Sequence, residues 1–147
     1  MSHDLRIERV IDASPQQVFA AFTDPDAMTQ WWEVDPGWTV EVRSHDLRAG
    51  GTTSLVFGEP SAPCHERLTY TEVAPPHRLR YLDEFTGPEG TTVSTDVTVS
   101  FEARGSTTLM TIVQTGFPTA TRRDRHDAGW PRFLDRLEIV LEARRMP

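Results

Sequence analysis

Closely spaced turn motifs are the feature that most restricts how this chain can fold. Parallel strands need a crossover of about a dozen residues or more, and the connections here are too short to provide one. The spacing therefore predicts an antiparallel sheet built from hairpins. The motifs, which are rich in Gly and Pro, are Asp35-Pro36-Gly37, Gly50-Gly51, Gly58-Glu59-Pro60, Pro75-Pro76, Gly87-Pro88-Glu89-Gly90, Arg104-Gly105-Ser106 and Gly116-Phe117-Pro118.

The stretches between these motifs have the length and composition of strands. A first strand is predicted at residues 5–11, ahead of the turn motifs. Six more are predicted at residues 39–47, 52–57, 65–73, 78–85, 93–103 and 107–115. Apolar and polar residues alternate most clearly in the stretch 93–103, which is typical of a sheet with one buried face and one solvated face.

Two short helices are predicted between the first and second strands. Ser14-Pro15-Gln16-Gln17 has the layout of a capping box, in which the Ser14 and Gln17 side chains each bind a free backbone N–H group. Asp24-Pro25 repeats the pattern of a cap followed by proline. The second helix is expected to end near Trp31-Trp32.

The last ~25 residues predict a helix that is longer than the average of ~11–12 residues. Trp130, Phe133, Leu134, Leu137 and Leu141 recur on one of its faces. Pro131 lacks a backbone N–H and disfavours helical geometry at the preceding residue, so the helix either begins there or begins near Arg122 and bends. This helix is the only predicted element long enough to cover the apolar face of the sheet.

Composition excludes several classes of function. The 147 residues suit one domain over residues 1–147, and a net charge of −7 disfavours a nucleic-acid partner. All 15 basic residues are arginine, which excludes Schiff-base lysine chemistry and P-loop ATPase chemistry. One cysteine, Cys64, excludes an internal disulfide. The His and acidic residues lack metal-ligand spacing, so we expect no metal and no cofactor.

The expected location is the cytoplasm. The sequence contains no apolar run of about 18 residues, so no membrane insertion is expected. The N-terminal residues Met1-Ser2-His3-Asp4 also lack the layout of a secretory signal.

In their order and residues, these segments resemble the helix-grip fold of START-like proteins (the SRPBCC superfamily). Within that superfamily the chain is similar to the AHSA family, the homologues of the activator of the heat-shock ATPase. The resemblance spans about residues 5–145 and rests on four segments. They are Ile11-Asp12-Ala13-Ser14-Pro15-Gln16-Gln17-Val18-Phe19 followed by Phe22-Thr23-Asp24-Pro25, the pair Trp31-Trp32, Gln114-Thr115-Gly116-Phe117, and His126 with Gly129-Trp130 ahead of Leu134 and Leu137.

The resemblance implies an α+β fold with a curved antiparallel sheet of about six to seven strands. Two short helices follow the first strand, and the long C-terminal helix lies across the sheet with a cavity between them. Members of the superfamily bind lipids, sterols or aromatic polyketides, and some cyclise or hydrolyse them. The family has no single catalytic set, so no catalytic residue is assigned here.

The implied cavity should have a volume of about 300–1,000 Å³ and be lined by side chains on the inner face of the sheet and helix. Its polar candidates matter most, because a buried polar group needs a partner or a ligand. A shift of one residue in strand register would turn each of the strand candidates to the other face. The candidate ligand-binding residues are Trp32, Phe57, Tyr81, Asp83, Phe85, Thr95, Val97, Val99, Met110, Ile112, Gln114, His126, Trp130, Phe133, Leu134 and Leu137.

Two of these candidates have competing interpretations. Asp83 faces the cavity if Tyr81 and Phe85 do, but an exposed acid at a strand end is the favoured alternative because Asp is seldom buried. His126 is either a general base or ligand donor at the cavity mouth, or a structural histidine. The structural alternative, packing against Trp130 or binding a backbone carbonyl, is favoured.

The side chains near the expected mouth are interpreted mainly as structural. Of Trp31, Trp32 and Trp38, we expect one in the core and another partly exposed. The run Arg122-Arg123-Asp124-Arg125 could attract an anionic group, but a solvated loop or first helical turn is the favoured interpretation.

The leading hypothesis is a protein that binds a small hydrophobic or aromatic molecule, lipid-like or polyketide-like, in this cavity. One alternative is an enzyme of the polyketide cyclase or hydrolase type that uses Asp83 or His126. Another is a co-chaperone-like interaction module, which predicts a filled core and an exposed apolar patch. Binding is preferred over catalysis, and a homodimer and a chaperone partner both stay open.

Overall fold

The computed structural model describes residues 3–145, which form seven strands and three helices in the predicted order. The α+β helix-grip fold expected from the sequence is confirmed. The strands are β1 (His3–Ile11), β2 (Thr39–His45), β3 (Thr52–Glu59), β4 (Ala62–Ala74), β5 (Arg78–Thr86), β6 (Thr92–Arg104) and β7 (Thr107–Phe117). The helices are α1 (Pro15–Thr23), α2 (Pro25–Trp31) and α3 (Ala120–Arg145).

The strands form one curved sheet in the order β1-β7-β6-β5-β4-β3-β2, and every neighbouring pair is antiparallel. Strands β2 to β7 follow one another across the sheet, as short hairpin connections require. Strand β1 pairs with β7 at the opposite edge from β2. The segment that contains α1 and α2 therefore carries the chain from one edge of the sheet to the other.

Both short helices begin at the caps that the sequence predicts. The Gln17 amide donates to Ser14 Oγ at 3.2 Å, and the Ser14 amide donates to Gln17 Oε1 at 2.9 Å. At the start of α2, the Asp26 amide donates to Asp24 Oδ1 at 3.0 Å. These bonds satisfy N–H groups that have no partner inside the helix.

Helix α3 begins at Ala120 and continues through Pro131. The alternative in which it begins at Pro131 is therefore wrong, and the predicted start near Arg122 lies within two residues of the observed one. The Arg122 amide donates to Thr119 Oγ1 at 3.1 Å, which caps the first turn. Pro131 removes a single helical hydrogen bond and does not end the helix.

The two halves of α3 pack differently against the sheet. Leu134, Leu137, Val140 and Leu141 in the C-terminal half are all buried. None of the residues 120–133 is fully buried. The C-terminal half therefore closes the core, while the N-terminal half stands further from the sheet.

Arginine side chains connect α3 to the rest of the fold. Arg9 of β1 pairs with Asp135 and Glu138, and Arg144 pairs with Asp24 at the start of α2. Exposed pairs of this kind contribute about 0–1 kcal/mol each, so they orient the helix more than they stabilise it. Across residues 3–145, no helix is both long enough and apolar enough to cross a membrane.

Replacing Leu137 with alanine is expected to lower the free energy of unfolding by about 2–5 kcal/mol, because it leaves a cavity under α3. The matched control is Ile139→Ala on the same helix, where the side chain is 53% exposed. The control should change stability by about 0.5 kcal/mol or less. Urea unfolding followed by tryptophan fluorescence measures both. An equal decrease in the free energy of unfolding for the two variants would contradict the packing described for α3.

Candidate ligand-binding cavity

A cavity of about 320 Å³ lies between the N-terminal half of α3 and the inner face of the sheet. Strands β3, β4, β5, β6 and β7 contribute to its floor, and one side is closed by the end of α2. The β5–β6 turn and the first turns of α3 surround the mouth. The volume falls within the range of about 300–1,000 Å³ that is typical of small-molecule sites.

Ten of the sixteen candidate residues line this cavity, so the structure brings most of the predicted set together. Whether they bind a ligand stays a prediction. The ten are Trp32, Phe57, Tyr81, Asp83, Phe85, Val97, Gln114, His126, Trp130 and Phe133.

Six candidates are buried but do not line the cavity, which corrects the sequence-based set. They are Thr95, Val99, Met110, Ile112, Leu134 and Leu137. Val99 pairs with Ile112 and Phe101 pairs with Met110, at the part of the sheet that α1 covers. There Phe19 of α1 packs against Phe101, with ring centroids 5.3 Å apart. Direct packing of α1 and the C-terminal half of α3 fills this region and leaves no space.

The walls of the cavity are mainly aromatic. The Trp32 ring meets Phe57 at 5.0 Å and Phe133 at 5.4 Å between centroids, both in edge-to-face geometry. Trp38 lies beyond Phe57 at 6.1 Å and is only partly buried, whereas Trp31 is in the core. The expectation that one tryptophan is in the core and another is partly exposed is confirmed. Such walls favour a ligand with a flat apolar surface.

Asp83 lies on the cavity floor and is only 2% exposed. The favoured interpretation of Asp83 as an exposed acid is therefore wrong. Leu79, Tyr81 and Asp83 alternate with outward residues along β5, so Asp83 occupies an inward position of the strand. Strand register overrode the general tendency of aspartate to stay in water.

Glu66 is a cavity residue that the sequence analysis missed. In the β4–β5 register Leu68 lies opposite Asp83 and Glu66 lies opposite Phe85. Glu66 and Asp83 are therefore diagonal neighbours on the inner face, within reach of each other's side chains. The signal was present in the alternation of β4, because Glu66 shares its face with the buried Leu68 and Tyr70.

Glu66 and Asp83 form a coupled pair of carboxyl groups. Burial raises the pKa of Asp83 to about 6, although a hydrogen bond with Glu66 opposes the rise. Burial also raises the pKa of Glu66 well above its usual value, and the nearby charge of Asp83 raises it further. Because each carboxylate disfavours ionisation of the other, the two groups ionise in separate steps, and the pair becomes negative as the pH rises through about 6.

Two buried polar atoms of the cavity lining are unsatisfied. Neither Asp83 Oδ1 nor Trp32 Nε1 has a hydrogen-bond partner within the described residues. An unsatisfied buried group costs about 1–3 kcal/mol, and most such groups in proteins are satisfied. The carboxylate oxygen requires a donor and the indole N–H requires an acceptor, which a bound molecule could provide.

A chain of side-chain hydrogen bonds ties α3 to the sheet beside the cavity. Trp130 Nε1 donates to Gln114 Oε1 at 2.9 Å, and Gln114 Nε2 donates to Thr95 Oγ1 at 2.9 Å. Gln114 therefore lines the cavity with both its amide oxygen and its amide nitrogen engaged. Thr95 lies behind it and opposite Asp83 in the β5–β6 register.

His126 lies at the cavity mouth in a structural arrangement. Its Nδ1 donates to the Arg122 carbonyl at 3.1 Å, which confirms the interpretation of a histidine bound to a backbone carbonyl. The ring packs between Phe85 and Phe117, at 5.5 and 4.9 Å between centroids. Burial lowers the pKa of His126, so the ring is neutral near pH 7.

Arginine side chains also surround the mouth, which the sequence analysis treated as solvated. Arg122 and Arg125 both line the cavity, and Arg122 Nη1 lies 3.9 Å from Glu89 Oε1 of the β5–β6 turn. The run 122–125 forms the first turns of α3, as the favoured interpretation allows. Among residues 3–145, no group of three His, Cys, Asp or Glu side chains is arranged to hold a metal ion.

Comparisons with known proteins find similarity over nearly the whole chain. The family model described as "Activator of Hsp90 ATPase homolog 1-like protein" matches residues 12–142. A solved structure from Chromobacterium violaceum is 28% identical with a TM-score of 0.83, and the match covers 95% of this chain and 97% of that chain. An AHSA1-like protein from Aeromonas hydrophila is 25% identical with a TM-score of 0.77, covering 97% and 94% respectively. No curated protein matches the sequence significantly.

Replacing Asp83 with asparagine is expected to remove a pH-dependent loss of stability. The folded protein holds the Asp83 proton up to about pH 6, whereas the unfolded chain releases it near 3.8. The stabilisation from the protonated form is present below pH 3.8 and is lost as the pH rises through 6. A shift of this size corresponds to about 3 kcal/mol.

Urea unfolding of wild type and Asp83→Asn at about pH 4.5 and about pH 7.5 measures this effect. The variant should gain stability relative to wild type at the higher pH. Glu59→Gln, at the exposed end of β3, is the matched control and should show no such gain. A difference between wild type and Asp83→Asn that is the same at both pH values would contradict the raised pKa.

Proposed function

Because the chain belongs to the family of activator of Hsp90 ATPase homolog 1-like proteins and has the START-like fold, we propose that it binds a small hydrophobic or aromatic molecule under α3. This fold family often binds hydrophobic ligands. The observation that carries the proposal is the cavity of about 320 Å³, with its aromatic walls and two unsatisfied polar atoms.

Burial of apolar surface would supply most of the binding free energy. A ligand that removes about 200 Å² of apolar surface from water gains about 5 kcal/mol, before the cost of immobilising it. The rings of Trp32, Phe57 and Phe133 offer edges and faces to an aromatic ligand. One or two polar contacts would fix the orientation of the ligand in the cavity.

A co-chaperone-like interaction module is less well supported. That alternative predicts a filled core and an exposed apolar patch. The large exposed hydrophobic residues of the described chain are Val10 of β1, Leu82 of β5 and Ile139 of α3, and two strands separate β5 from β1 in the sheet. A chaperone partner, a homodimer and a cytoplasmic location stay predictions.

An enzyme of the polyketide cyclase or hydrolase type is a second candidate, favoured by the burial of Asp83 in the cavity. A carboxyl group with a pKa of about 6 can accept or donate a proton near neutral pH. A product that forms with wild type and not with Asp83→Asn, at equal binding of the starting compound, would support this function over simple binding.

Gly129 provides a way to fill the cavity without disturbing the fold. It lines the cavity on the same face of α3 as His126, Trp130 and Phe133. A Cβ atom placed there would meet no other atom within 4 Å. Replacing a helical glycine also favours the helix by up to about 1 kcal/mol.

We expect Gly129→Phe to weaken binding of the neutral fluorescent probe N-phenyl-1-naphthylamine by at least about tenfold, a change of about 1.4 kcal/mol. The added ring would occupy the space of the ligand, while Gly129→Ala, the matched control, should bind the probe like wild type. A fluorescence titration measures all three proteins, and circular dichroism checks that they fold alike.

Native mass spectrometry of the protein purified from its own organism complements this titration. A stoichiometric apolar adduct is expected for wild type and is expected to be missing from Gly129→Phe. The proposal fails if the probe binds Gly129→Phe as well as wild type, or if wild type binds no probe and carries no adduct.

A further inference from the structure

We propose that the cavity selects an amine, namely an aromatic molecule whose protonated amino group binds to Glu66 and Asp83. This inference rests on the proposed function, because it assigns a ligand chemistry to the same cavity. Three features of the cavity point to an amine: the unsatisfied oxygen of Asp83, the charge of the carboxyl pair and the aromatic walls.

One oxygen of Asp83 lacks a hydrogen-bond donor among the described residues. Asp83 is nine-tenths buried and lines the cavity, and its Oδ1 has no partner among residues 3–145. With a pKa of about 6, the Asp83 carboxyl group is mainly ionised at pH 7.5. An ionised carboxylate oxygen accepts hydrogen bonds only, so a ligand that satisfies Asp83 Oδ1 must present an N–H or O–H group.

The negative charge of the carboxyl pair has no cationic partner among the described residues. Within the described part of the chain, neither Glu66 nor Asp83 takes part in an ion pair with an arginine or histidine. A buried negative charge without a partner is strongly unfavourable. An ammonium group would supply both the donor and the opposite charge, whereas a neutral hydroxyl would supply the donor alone.

The other groups on the strands do not neutralise this charge. Burial raises the pKa of the Cys64 thiol and of the Tyr81 hydroxyl, so both stay neutral near pH 7. Glu84, the next residue of β5, lies on the opposite face and its negative charge adds to that of the pair. The strands therefore present a net negative site to the floor of the cavity.

The charged and titratable groups at the mouth do not neutralise the acidic pair on the floor of the cavity. Arg122 lies beside Glu89, where the two charges oppose each other, and His126 is neutral near pH 7. Arg125 is exposed at the mouth. The cationic side chains thus surround the opening on α3, while the acidic pair lies on β4 and β5 at the floor.

The aromatic walls beside the pair favour an aromatic ring on the same ligand. An ammonium group beside aromatic rings gains a further attraction of about 0.5–2 kcal/mol from the ring faces. Trp32, Phe57 and Phe85 line the same cavity as the pair, and an aromatic ring attached to the amine would pack against them. The volume of about 320 Å³ limits the ligand to one or two fused rings with a short amine chain.

Binding of such a cation is coupled to the proton of the pair. At low pH both carboxyl groups are protonated and neutral, so the attraction for an ammonium group is weak. As the pH rises through the pKa of Asp83, about 6, the pair becomes negative and the affinity for the amine increases. The affinity for a neutral ligand does not depend on pH in this way.

Three probes with the same indole ring test the inference: tryptamine, tryptophol and indole-3-propionate. Their side chains end in an ammonium, a hydroxyl and a carboxylate respectively. At about pH 7.5 we expect tryptamine to bind at least about tenfold more tightly than tryptophol, and indole-3-propionate to bind most weakly. Isothermal titration calorimetry measures the three affinities. Comparing the binding enthalpy in two buffers that differ in ionisation enthalpy measures the number of protons released.

Variants of the pair assign the preference to these residues. The double variant Glu66→Gln/Asp83→Asn removes both carboxyl groups, so it should lose the preference for tryptamine over tryptophol and still bind tryptophol. Glu59→Gln, which removes the same charge from an exposed position, should keep the preference. In wild type, the affinity for tryptamine should rise between about pH 5.5 and about pH 7.5, and that for tryptophol should stay constant.

Two kinds of result would overturn the inference and leave the proposed function standing. One is equal or tighter binding of tryptophol or indole-3-propionate. The other is no binding of any of the three indoles by a protein that binds N-phenyl-1-naphthylamine. If neither the indoles nor N-phenyl-1-naphthylamine binds, the proposed function and the inference fail together.

Discussion

Leu134, Leu137, Val140 and Leu141 of α3 lie against the inner face of the sheet, and the rest of the architecture depends on this burial. Apolar burial is the main stabilising contribution in a domain of this size. Because these side chains are confined to the C-terminal half of the helix, only that half is drawn onto the sheet. The N-terminal half carries Gly129, Trp130 and Phe133, which line the cavity beneath it.

The fold could be predicted from the sequence because its signals are local. Short turns demand antiparallel pairing, alternation in β6 shows which face is buried, and the caps at Ser14 and Asp24 mark where the short helices begin. The start of α3 was less certain, because Pro131 gives a strong local signal for a helix start. The tertiary packing on both sides of Pro131 and the cap at Thr119 override that signal.

The candidate site could be predicted only in part, because it depends on which buried residues adjoin empty space. Val99 and Ile112 have the same inward orientation as Val97, yet α1 covers them and leaves Val97 beside the cavity. The alternation within a single strand does not show which inward residues are covered by α1 and which lie beside the cavity. Glu66 is absent from the candidate set, and Asp83 is in it with an exposed position favoured, because the general preference of Asp and Glu for water outweighs the alternation of β4 and β5 in such a prediction.

Pro131 has a consequence for how a molecule could reach the cavity. It has no amide hydrogen, so the Asp127 carbonyl lacks its usual helical partner at the junction between the two halves of α3. The Trp130–Gln114 hydrogen bond ties the N-terminal half to the sheet beside the cavity. Local opening of residues 120–130 therefore requires less free energy than opening of residues 134–141, where the core would be exposed. Opening of the first half would uncover the cavity while the second half keeps the domain folded, and amide hydrogen exchange is expected to be fastest on the cavity side of the proline.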